Sequence, residues 1–329
     1  MHAIGILGAA GIAPRAIIDP TRRRRDVVIG AVASRDADKA SAYAAANSIP
    51  RAFGGYDALL ADPSIDIVYN ALPPTGHAEW SIRALQAGKH VLCEKPIAVT
   101  AAEARDMVAA AEASGRVLAE AFHDRYHPAF AHLLALKPKL GGIRSLVAEF
   151  RVDIPYDPAN IRYNPAQGGG AMMDLGCYPL HWLRSFMGTE PEIVSASARL
   201  CELGSDTRIE ADLRFPGDVP ARLLADIQGG PFRGLLRIEA ENGIVELDNP
   251  CLPHNGHSFR EWLNGVHRVY TVAGAATYDH QLDAFVQAVD GGNPLPTGGA
   301  DAIGNMAALD RIYERAGVER AAVRPRRAP

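Results

Sequence analysis

The sequence predicts an α/β protein of two domains: a doubly wound parallel sheet first, then an α+β domain with an open, largely antiparallel sheet. The first observation is that apolar runs alternate with alanine-rich, helix-like stretches, a pattern typical of a parallel sheet. The second is a change near residue 123 to closely spaced strand-like runs. The third is the length of 329 residues, which suits two domains of roughly 100–200 residues each. We therefore predict domains at 1–122 and 123–329.

The elements of the first domain follow from its hydrophobic pattern. Five apolar runs are predicted as parallel strands: residues 3–7, 27–33, 65–70, 89–93 and 116–120. Three amphipathic stretches between them are predicted as helices: residues 36–46, 76–87 and 101–114. Thr100 and Glu103 form a capping box that fixes the start of the last helix. Ligands of such a sheet bind beyond the carboxyl ends of its strands.

The second domain is predicted to be rich in strands. A short helix at about 128–137 should end at Pro138 because proline interrupts a helix. The strands are predicted at residues 143–153, 192–201, 208–215, 220–228, 233–240, 244–248 and 266–272. Helices or a second subunit would have to cover one face of this open sheet, so we expect a homodimer or homotetramer.

Composition argues against several classes of protein. A formal net charge of −4 does not suit a nucleic-acid-binding protein, which would present a basic face. The arginines at Arg22 to Arg25, and Arg324, Arg326 and Arg327 in the tail, are interpreted as solvated. No apolar run approaches the ~20 residues that span a bilayer. The four cysteines show neither pairing nor metal-ligand spacing. We expect a cytoplasmic protein with no metal site.

A turn of small residues follows the first strand. Gly8 leads through Ala10 and Gly11 into Ile12, where a helix should begin. Such a turn lets backbone amides approach a pyrophosphate at a helix N-terminus. The match to G-x-G-x-x-G is incomplete, because Ala10 and Ala13 replace the second and third glycines. The alternation of strands and helices around it supports a dinucleotide cofactor.

The end of the second strand should contact the adenosine ribose. An acidic residue there favours an unmodified ribose, whereas arginine accommodates a 2′-phosphate. This chain has Ser34 and Arg35, which favours NADP and leaves NAD possible. The alternative is that Ser34 caps the next helix and that Arg35 is solvated or stacks on the adenine. Asp36 and Asp38 are explained by the helix dipole alone.

The turn after the third strand is a second candidate cofactor contact. Leu72 and Pro73 form a stiff turn, and His77 opens the next helix. His77 is predicted to contact the cofactor or substrate. The alternative is that its imidazole only caps or packs.

Glu94, Lys95 and Pro96 close the fourth strand. Proline restricts the residue before it to extended geometry, so the backbone at Lys95 is held and its side chain is directed. An ammonium group at this strand end could hold a substrate oxygen or lower the pKa of a neighbouring acid. The alternative is a surface lysine at the end of a strand.

Further candidates lie in the second domain. Arg125 and Tyr126, in a polar cluster after the fifth strand, are predicted to line a substrate pocket. Asp174 and Tyr178 follow a run of three glycines and project from one helix face, where they could bind a diol and transfer a proton. His181 lies one turn further on and could join them. The alternative is that Asp174 is an N-cap and Tyr178 a packing residue.

Together these stretches resemble the glucose–fructose oxidoreductase/inositol dehydrogenase family of NAD(P)-dependent oxidoreductases. The resemblance runs through nearly the whole chain and is carried by the turn at 8–13, Glu94-Lys95-Pro96, residues 168–178 and the closing run 278–285. The chain is most similar to the dimeric dihydrodiol dehydrogenase and NADP-dependent aldose (xylose) dehydrogenase branch. Gly-Ala-Ala-type turns, Ser-Arg after the second strand and an acid–base tyrosine are usual there.

The resemblance implies an NAD(P)-binding Rossmann domain followed by a substrate-binding and oligomerisation domain. The activity it implies is hydride transfer between nicotinamide and a secondary or anomeric alcohol, or its carbonyl, of a sugar, cyclitol or dihydrodiol. Tyr178 would exchange the proton, Lys95 would lower the tyrosine pKa and hold the oxygen, and Asp174 would orient the substrate. Glu94 and Arg162 match positions near the cofactor.

Two other functions stay open. One is a transient-redox enzyme, which oxidises, eliminates and re-reduces its substrate with a tightly bound cofactor. The other is a non-catalytic NAD(P)-binding regulatory protein. The presence of Lys95, Asp174 and Tyr178 argues against the second, because a binding protein does not need that set of residues.

Overall fold

A computed structural model describes residues 1–320 of the chain. The tail arginines Arg324, Arg326 and Arg327 lie outside the described residues. The chain forms two compact units. Unit 1 comprises Met1–Tyr126 and Ala275–Ile303, and unit 2 comprises His127–Gly274 and the described residues from Gly304 onward.

Unit 1 contains a parallel sheet. Its strands are β1 (His2–Leu7), β2 (Val27–Ala33), β3 (Ala52–Phe53), β4 (Ile67–Asn70), β5 (His90–Cys93) and β6 (Leu118–Glu120). They lie in the order β3-β2-β1-β4-β5-β6, and all neighbouring pairs are parallel. The chain moves outward from β1 to β3 and then crosses to β4 on the other side of β1. The predicted doubly wound sheet is confirmed, and its direction reverses between β1 and β4.

The α-helices within residues 1–320 are numbered in chain order. They are α1 (Asp19–Arg22), α2 (Ala37–Asn47), α3 (Tyr56–Leu60), α4 (His77–Gln86), α5 (Ala101–Ser114), α6 (Pro128–Leu140), α7 (Cys177–Met187), α8 (Thr277–Val289) and α9 (Ala300–Arg315). Short π-helical turns precede α1 and α7, at Pro14–Ile18 and Met172–Gly176. The start of α5 is confirmed, because Thr100 accepts a hydrogen bond from the Glu103 amide at 3.2 Å.

Unit 2 contains a mixed sheet that is largely antiparallel, as predicted. Its strands are β7 (Ile143–Asp153), β8 (Glu192–Leu200), β9 (Asp206–Phe215), β10 (Val219–Asp226), β11 (Gln228–Ala240), β12 (Gly243–Asp248), β13 (Ser258–Leu263) and β14 (Val266–Tyr270). They lie in the order β14-β13-β12-β11-β7-β10-β9-β8. Only the β7–β10 pair is parallel in the described sheet. Leu146, Ala148 and Phe150 alternate along β7 on its buried face, which packs against α7.

Three local predictions were incomplete or wrong. The two-residue strand β3 is too short to give a periodic signal, and β13 was missed because the charged Arg260 and Glu261 interrupt its apolar pattern. The helix predicted to end at Pro138 continues to Leu140. A proline in the last turn costs only one backbone hydrogen bond. The adjacent Lys137 ammonium group also donates to the carbonyls of Phe186 and Met187, at 2.8 Å each.

The division of the chain differs from the predicted boundary at residue 122, because α8 belongs to unit 1. Arg23 donates to the carboxylate of Asp279 at 2.5 Å, and Arg24 donates to that of Asp283 at 2.7 Å. These arginines are therefore ion-paired rather than simply solvated. Surface pairs contribute little on their own, so the fully buried ring of Phe285 carries more of the attachment.

The described residues were also compared with the requirements for a membrane-spanning helix and for a metal site. Over residues 1–320, no helix is long and apolar enough to cross a bilayer. In the same part of the chain, no group of three or more His, Cys, Asp or Glu side chains is arranged to hold a metal ion.

Candidate functional site

The small-residue turn after β1 lies at the point where the sheet reverses direction. Gly8 has a φ of +96°, which side chains other than glycine rarely tolerate. A Cβ at Gly8 would lie 3.1 Å from the Leu72 side chain and 3.3 Å from the Ala71 carbonyl oxygen. The turn after β1 and the loop after β4 are therefore in contact, at the edge where α/β sheets bind ligands.

The backbone of this turn fits a dinucleotide diphosphate. Within residues 1–320, no protein acceptor takes the amide hydrogens of Ala10, Gly11 and Ile12. Apart from its two chain neighbours, a Cβ at Gly11 would meet no atom of the described residues within 4 Å. The phenol of Tyr43, on α2, donates to the Ala10 carbonyl at 2.8 Å and braces the turn. Consecutive amides with no protein acceptor are a ready-made anion site.

Replacing Gly11 by alanine should separate binding from folding. We expect the unfolding temperature to stay within a degree or two, because the new methyl group meets no protein atom. The affinity for NADP should fall about tenfold or more, since the methyl group would keep the diphosphate from the backbone. Fluorescence titration and thermal unfolding measure the two effects. Gly8→Ala, strained by its positive φ, is the control that should lose stability. Unchanged NADP affinity in Gly11→Ala would place the diphosphate elsewhere.

The end of β2 presents a cation where the ribose contact is predicted. Ser34 is buried, and its hydroxyl accepts from the Asp36 amide at 3.4 Å. The N-cap of α2 is Asp36, which accepts from the Lys39 amide at 3.0 Å, so Ser34 is not the cap. Arg35 is exposed, and no hydrogen bond or ion pair engages it in the described part of the chain. The carboxylate of Asp36, next to Arg35, is therefore engaged as the N-cap of α2.

The segment that contains Lys95 is held by its own neighbours in the sheet. Tyr69, fully buried on β4, donates its phenol hydrogen to one carboxylate oxygen of Glu94. The other oxygen accepts from the Lys95 amide at 3.3 Å. Burial raises the pKa of Glu94, while Tyr69, Lys95 and Arg15 counter that effect. In this structure Glu94 is therefore a support for the backbone at Lys95.

Two more buried side chains hold the residues after Lys95. The imidazole of His77 lies between two backbone carbonyls, 2.8 Å from that of Pro96 and 2.7 Å from that of Leu72. Burial lowers the pKa of His77 to about 4, against the opposing effect of the two carbonyl groups. The fully buried Glu120 accepts from the Ile97 amide at 2.9 Å. His77 thus ties the Leu72 loop to the Lys95–Pro96 segment.

The polar cluster after β6 is also partly occupied by structural contacts. The Tyr126 hydroxyl is hydrogen-bonded to that of Thr297 at 2.7 Å, and burial raises the tyrosine pKa. Burial lowers the pKa of Arg125, against the opposing effect of nearby Asp301. His123 is hydrogen-bonded to Thr277 of α8 at 2.8 Å. A substrate-binding role for Arg125 and Tyr126 stays a prediction.

In unit 2 the structure brings Arg162 and Asp174 together. The Arg162 guanidinium donates to the Asp174 carboxylate at 2.6 Å, and the arginine side chain is 40% exposed. Asp174 lies inside the π-helical turn rather than at an N-cap, so the capping alternative is wrong. The Asp174 side chain is 18% exposed, and a partly accessible carboxylate paired with arginine is a fixed acceptor for a hydroxyl group.

Tyr178, in the first turn of α7, has a buried ring. The ring lies 5.7 Å from that of Phe150 and 6.2 Å from that of Trp182, measured between centroids. His181 is fully buried, and its Nε2 lies 3.2 Å from the Ser185 hydroxyl. The aromatic contacts fix the Tyr178 ring, whereas His181 occupies a packing position. A substrate contact for His181 stays a prediction.

The glycine run before the π-helical turn is packed closely against other groups of unit 2. A Cβ at Gly169 would overlap the Ile161 carbonyl oxygen and lie 2.8 Å from those of Arg162 and Asn164. A Cβ at Gly170, whose φ is +133°, would overlap the Asp206 carboxylate. The glycines therefore let the Arg162 loop and Asp206 approach the turn that carries Asp174.

Asp206, at the start of β9, caps that turn. Its carboxylate accepts from the Met172 amide at 2.7 Å and from the phenol of Tyr313 at 2.8 Å. Both side chains are almost completely buried. Burial raises the pKa of Asp206 to about 6, although the two hydrogen bonds favour the charged form. Neither Asp206 nor Tyr313 follows from a sequence motif.

The raised pKa of Asp206 predicts a pH-dependent stability. A carboxyl group whose pKa is higher in the folded state stabilises the protein fully below its unfolded value of 3.8, and this is lost as the pH rises through about 6. The contribution is about 3 kcal/mol at most. We expect Asp206→Asn to flatten the dependence of the unfolding free energy between pH 4 and 6.5. Urea titrations at a series of fixed pH values give the unfolding free energy at each pH. An equal change of that free energy with pH in both proteins would contradict the prediction.

Family models match two parts of the chain. Residues 2–122 match the model described as "Oxidoreductase family, NAD-binding Rossmann fold". Residues 134–245 match the model of the GFO/IDH/MocA C-terminal domain. The first match covers the sheet with the small-residue turn, and the second covers the Arg162–Asp174 pair and Tyr178.

Individual relatives agree with these two family matches. D-xylose 1-dehydrogenase (NADP(+)) 2 of Haloferax volcanii is 33% identical over 316 residues, covering 95% of this chain and 96% of the relative. Human trans-1,2-dihydrobenzene-1,2-diol dehydrogenase is 35% identical over 234 residues, covering 70% of this chain and 69% of the relative. A crystallised variant of KijD10, a 3-ketoreductase from Actinomadura kijaniata in complex with TDP-benzene and NADP, matches with a TM-score of 0.88 at 26% identity, covering 95% of this chain and 97% of that chain. The resemblance drawn from the motifs is confirmed: the chain belongs to the GFO/IDH/MocA family of NAD(P)-dependent oxidoreductases.

Proposed function

We propose that this enzyme transfers a hydride between NADP and a secondary or anomeric alcohol, or the matching carbonyl, of a sugar, cyclitol or dihydrodiol. The observation that carries the proposal is that unit 1 has a diphosphate-type turn and a lysine whose backbone is held, while unit 2 has the partly exposed Arg162–Asp174 pair. The xylose and dihydrobenzenediol activities in the names of two relatives support this substrate class.

The residues present fit the cofactor. The amides of Ala10, Gly11 and Ile12 would bind its diphosphate, and Leu72 and Pro73 would line the same edge of the sheet. When bound, the nicotinamide supplies the hydride chemistry. The protein supplies orientation and control of the proton.

Proton control is assigned to two residues. Tyr178 accepts the hydroxyl proton during oxidation and returns it during reduction. An ordinary tyrosine has a pKa of about 10, so it needs a nearby positive charge to act at neutral pH. Lys95 supplies that charge and binds the substrate oxygen. Asp174, held by Arg162, accepts a hydrogen bond from a neighbouring hydroxyl group and orients the substrate.

Arg35 should set the preference for NADP over NAD. An exposed guanidinium beside Ser34 suits a 2′-phosphate, while Asp36 is engaged as the helix cap. We expect Arg35→Ala to raise the KM for NADP about tenfold or more and to leave the KM for NAD within about twofold. Lys39→Ala, which removes an exposed cation from the first turn of the following helix α2, is the control. A parallel loss with both cofactors would rule out a phosphate contact.

A substrate panel tests the proposed activity directly. Absorbance at 340 nm would be followed with aldoses, inositols and trans-dihydrodiols and either oxidised cofactor, and with keto-sugars and either reduced cofactor. Activity with one class would establish the reaction and its cofactor together. No signal in any combination, with cofactor binding shown by fluorescence, would contradict net oxidoreduction and favour the transient-redox or regulatory functions.

We also propose that the protein is a homodimer or homotetramer. The sheet of unit 2 has α7 on one face, while side chains such as Val194 and Arg222 on β8 and β10 are 40% and 61% exposed. Contact with a second copy would bury exposed apolar side chains such as that of Val194, which favours association. Light scattering coupled to gel filtration would show a dimer or tetramer mass, and a monomer across micromolar concentrations would contradict the proposal.

A further inference from the structure

The π-helical turn Met172–Gly176 has no side-chain cap of its own. Its N-cap residue is Ala171, which cannot accept a hydrogen bond through its side chain. The first amides of any helix need acceptors from elsewhere. Here the Met172 amide donates to Asp206, a residue distant in sequence at the start of β9. The start of the turn is therefore held by a tertiary contact.

Helix α9 holds Asp206 in this position. Tyr313 donates its phenol hydrogen to the Asp206 oxygen that does not bind Met172. Tyr313 is 2% exposed and Asp206 is 1% exposed as whole residues, so water does not compete for either group. Gly170 makes the arrangement possible, since any side chain there would collide with the carboxylate.

The same helix also holds the other end of the turn. The amide group of Asn305 donates to the Cys177 carbonyl at 3.3 Å and accepts from the Arg184 guanidinium at 3.2 Å. Arg184 is itself fixed by Glu190, with its two contacts at 2.5 and 2.8 Å. Asn305 and Tyr313 thus act on opposite ends of one five-residue turn.

A π-helical turn needs such support to persist. It contains one more residue than an α-helical turn, and its i→i+5 hydrogen bonds are less common than the α-helical pattern. Conversion to an α-helix would rotate the chain before the turn relative to Tyr178 by one residue, roughly 100°. Asp174 lies inside the turn, so its direction relative to Tyr178 depends on the π-helical geometry.

We propose that Asp206, Tyr313 and Asn305 are positioning residues that keep Met172–Gly176 in its π-helical register and so set the relative orientation of Asp174 and Tyr178. The inference rests on the proposed function for its effect on catalysis. Its structural part, the support of the turn by α9, does not depend on the reaction. Helix α9 thereby contributes to a site that it does not itself form.

The test uses Tyr313→Phe and Asn305→Ala in the full-length protein. Tyr270→Phe is the matched control, because the Tyr270 phenol also donates to a buried carboxylate of unit 2, that of Glu261. We expect amide hydrogen exchange in the peptide 168–178 to be about tenfold faster in both test variants and unchanged in Tyr270→Phe. The value of kcat should fall about tenfold, with NADP affinity unchanged and with a smaller change in KM.

Two outcomes would overturn the inference. One is exchange in residues 168–178 at the control rate in both variants. The other is a loss of kcat in Tyr270→Phe equal to that in Tyr313→Phe, which would point to general destabilisation. Absence of any activity in the unmodified protein would instead refute the proposed function, and the exchange experiment would still decide whether α9 supports the turn.

Discussion

Replacing Tyr178 by phenylalanine is expected to lower kcat by about 10²–10⁴-fold, the usual contribution of a general acid–base residue. The variant keeps the ring and with it the packing against Phe150 and Trp182. The unfolding temperature and the affinity for NADP should therefore stay close to those of the unmodified protein. Stopped-flow measurement of the absorbance at 340 nm, with the best substrate of the panel, gives the rate of the chemical step.

The control for this variant is Tyr270→Phe, which removes a hydroxyl from β14 and should leave kcat unchanged. A full rate in Tyr178→Phe would remove this residue from the proton transfer. Lys95→Ala should also abolish turnover while cofactor binding largely survives. If both residues serve one proton transfer, the double variant should be little worse than either single variant, because effects within one functional unit are not additive.

Replacing Gly169 by alanine is expected to destabilise unit 2 by about 3 kcal/mol or more. The new methyl group would collide with the carbonyl oxygens of Ile161, Arg162 and Asn164, which are backbone atoms and cannot move aside independently. The loop that carries Arg162 would have to shift, so its ion pair with Asp174 should also weaken. Urea unfolding measures the loss of stability.

Gly188→Ala separates collision from backbone strain. Gly188 has a φ of +74°, but within residues 1–320 only its chain neighbours lie within 4 Å of the position of a Cβ. It should therefore cost only about 1 kcal/mol, the strain of a left-handed residue. Equal losses in Gly169→Ala and Gly188→Ala would show that close approach of the Arg162 loop does not explain the glycine run.

The local sequence determined the framework of unit 1. Short apolar runs alternating with amphipathic stretches can only be buried as a parallel sheet covered by helices, and the β1, β2, β4 and β5 strands appear where that pattern predicts them. The capping box at Thr100 likewise acts through residues close in sequence. Periodicity and caps are local properties, so they can be read from a single chain.

The support of the candidate site was decided by tertiary structure. Tyr69, His77 and Glu120 hold the segment around Lys95, yet each reaches it through a contact with a different element. No motif marks such residues, because a buried hydrogen bond depends on which distant groups the fold brings together.

Tertiary structure also decided which groups the glycines 168–170 contact and how the chain divides into two units. The sequence showed that residues 168–170 let the backbone approach something closely, but only the structure identified Asp206 and the Arg162 loop as the neighbours. The sequence likewise placed α8 in the second domain, whereas its ion pairs and buried face attach it to unit 1. Propensity and pattern therefore determined most of the elements and where the candidate site residues lie in the chain. Close packing, which joins residues remote in sequence, decided how those side chains are held.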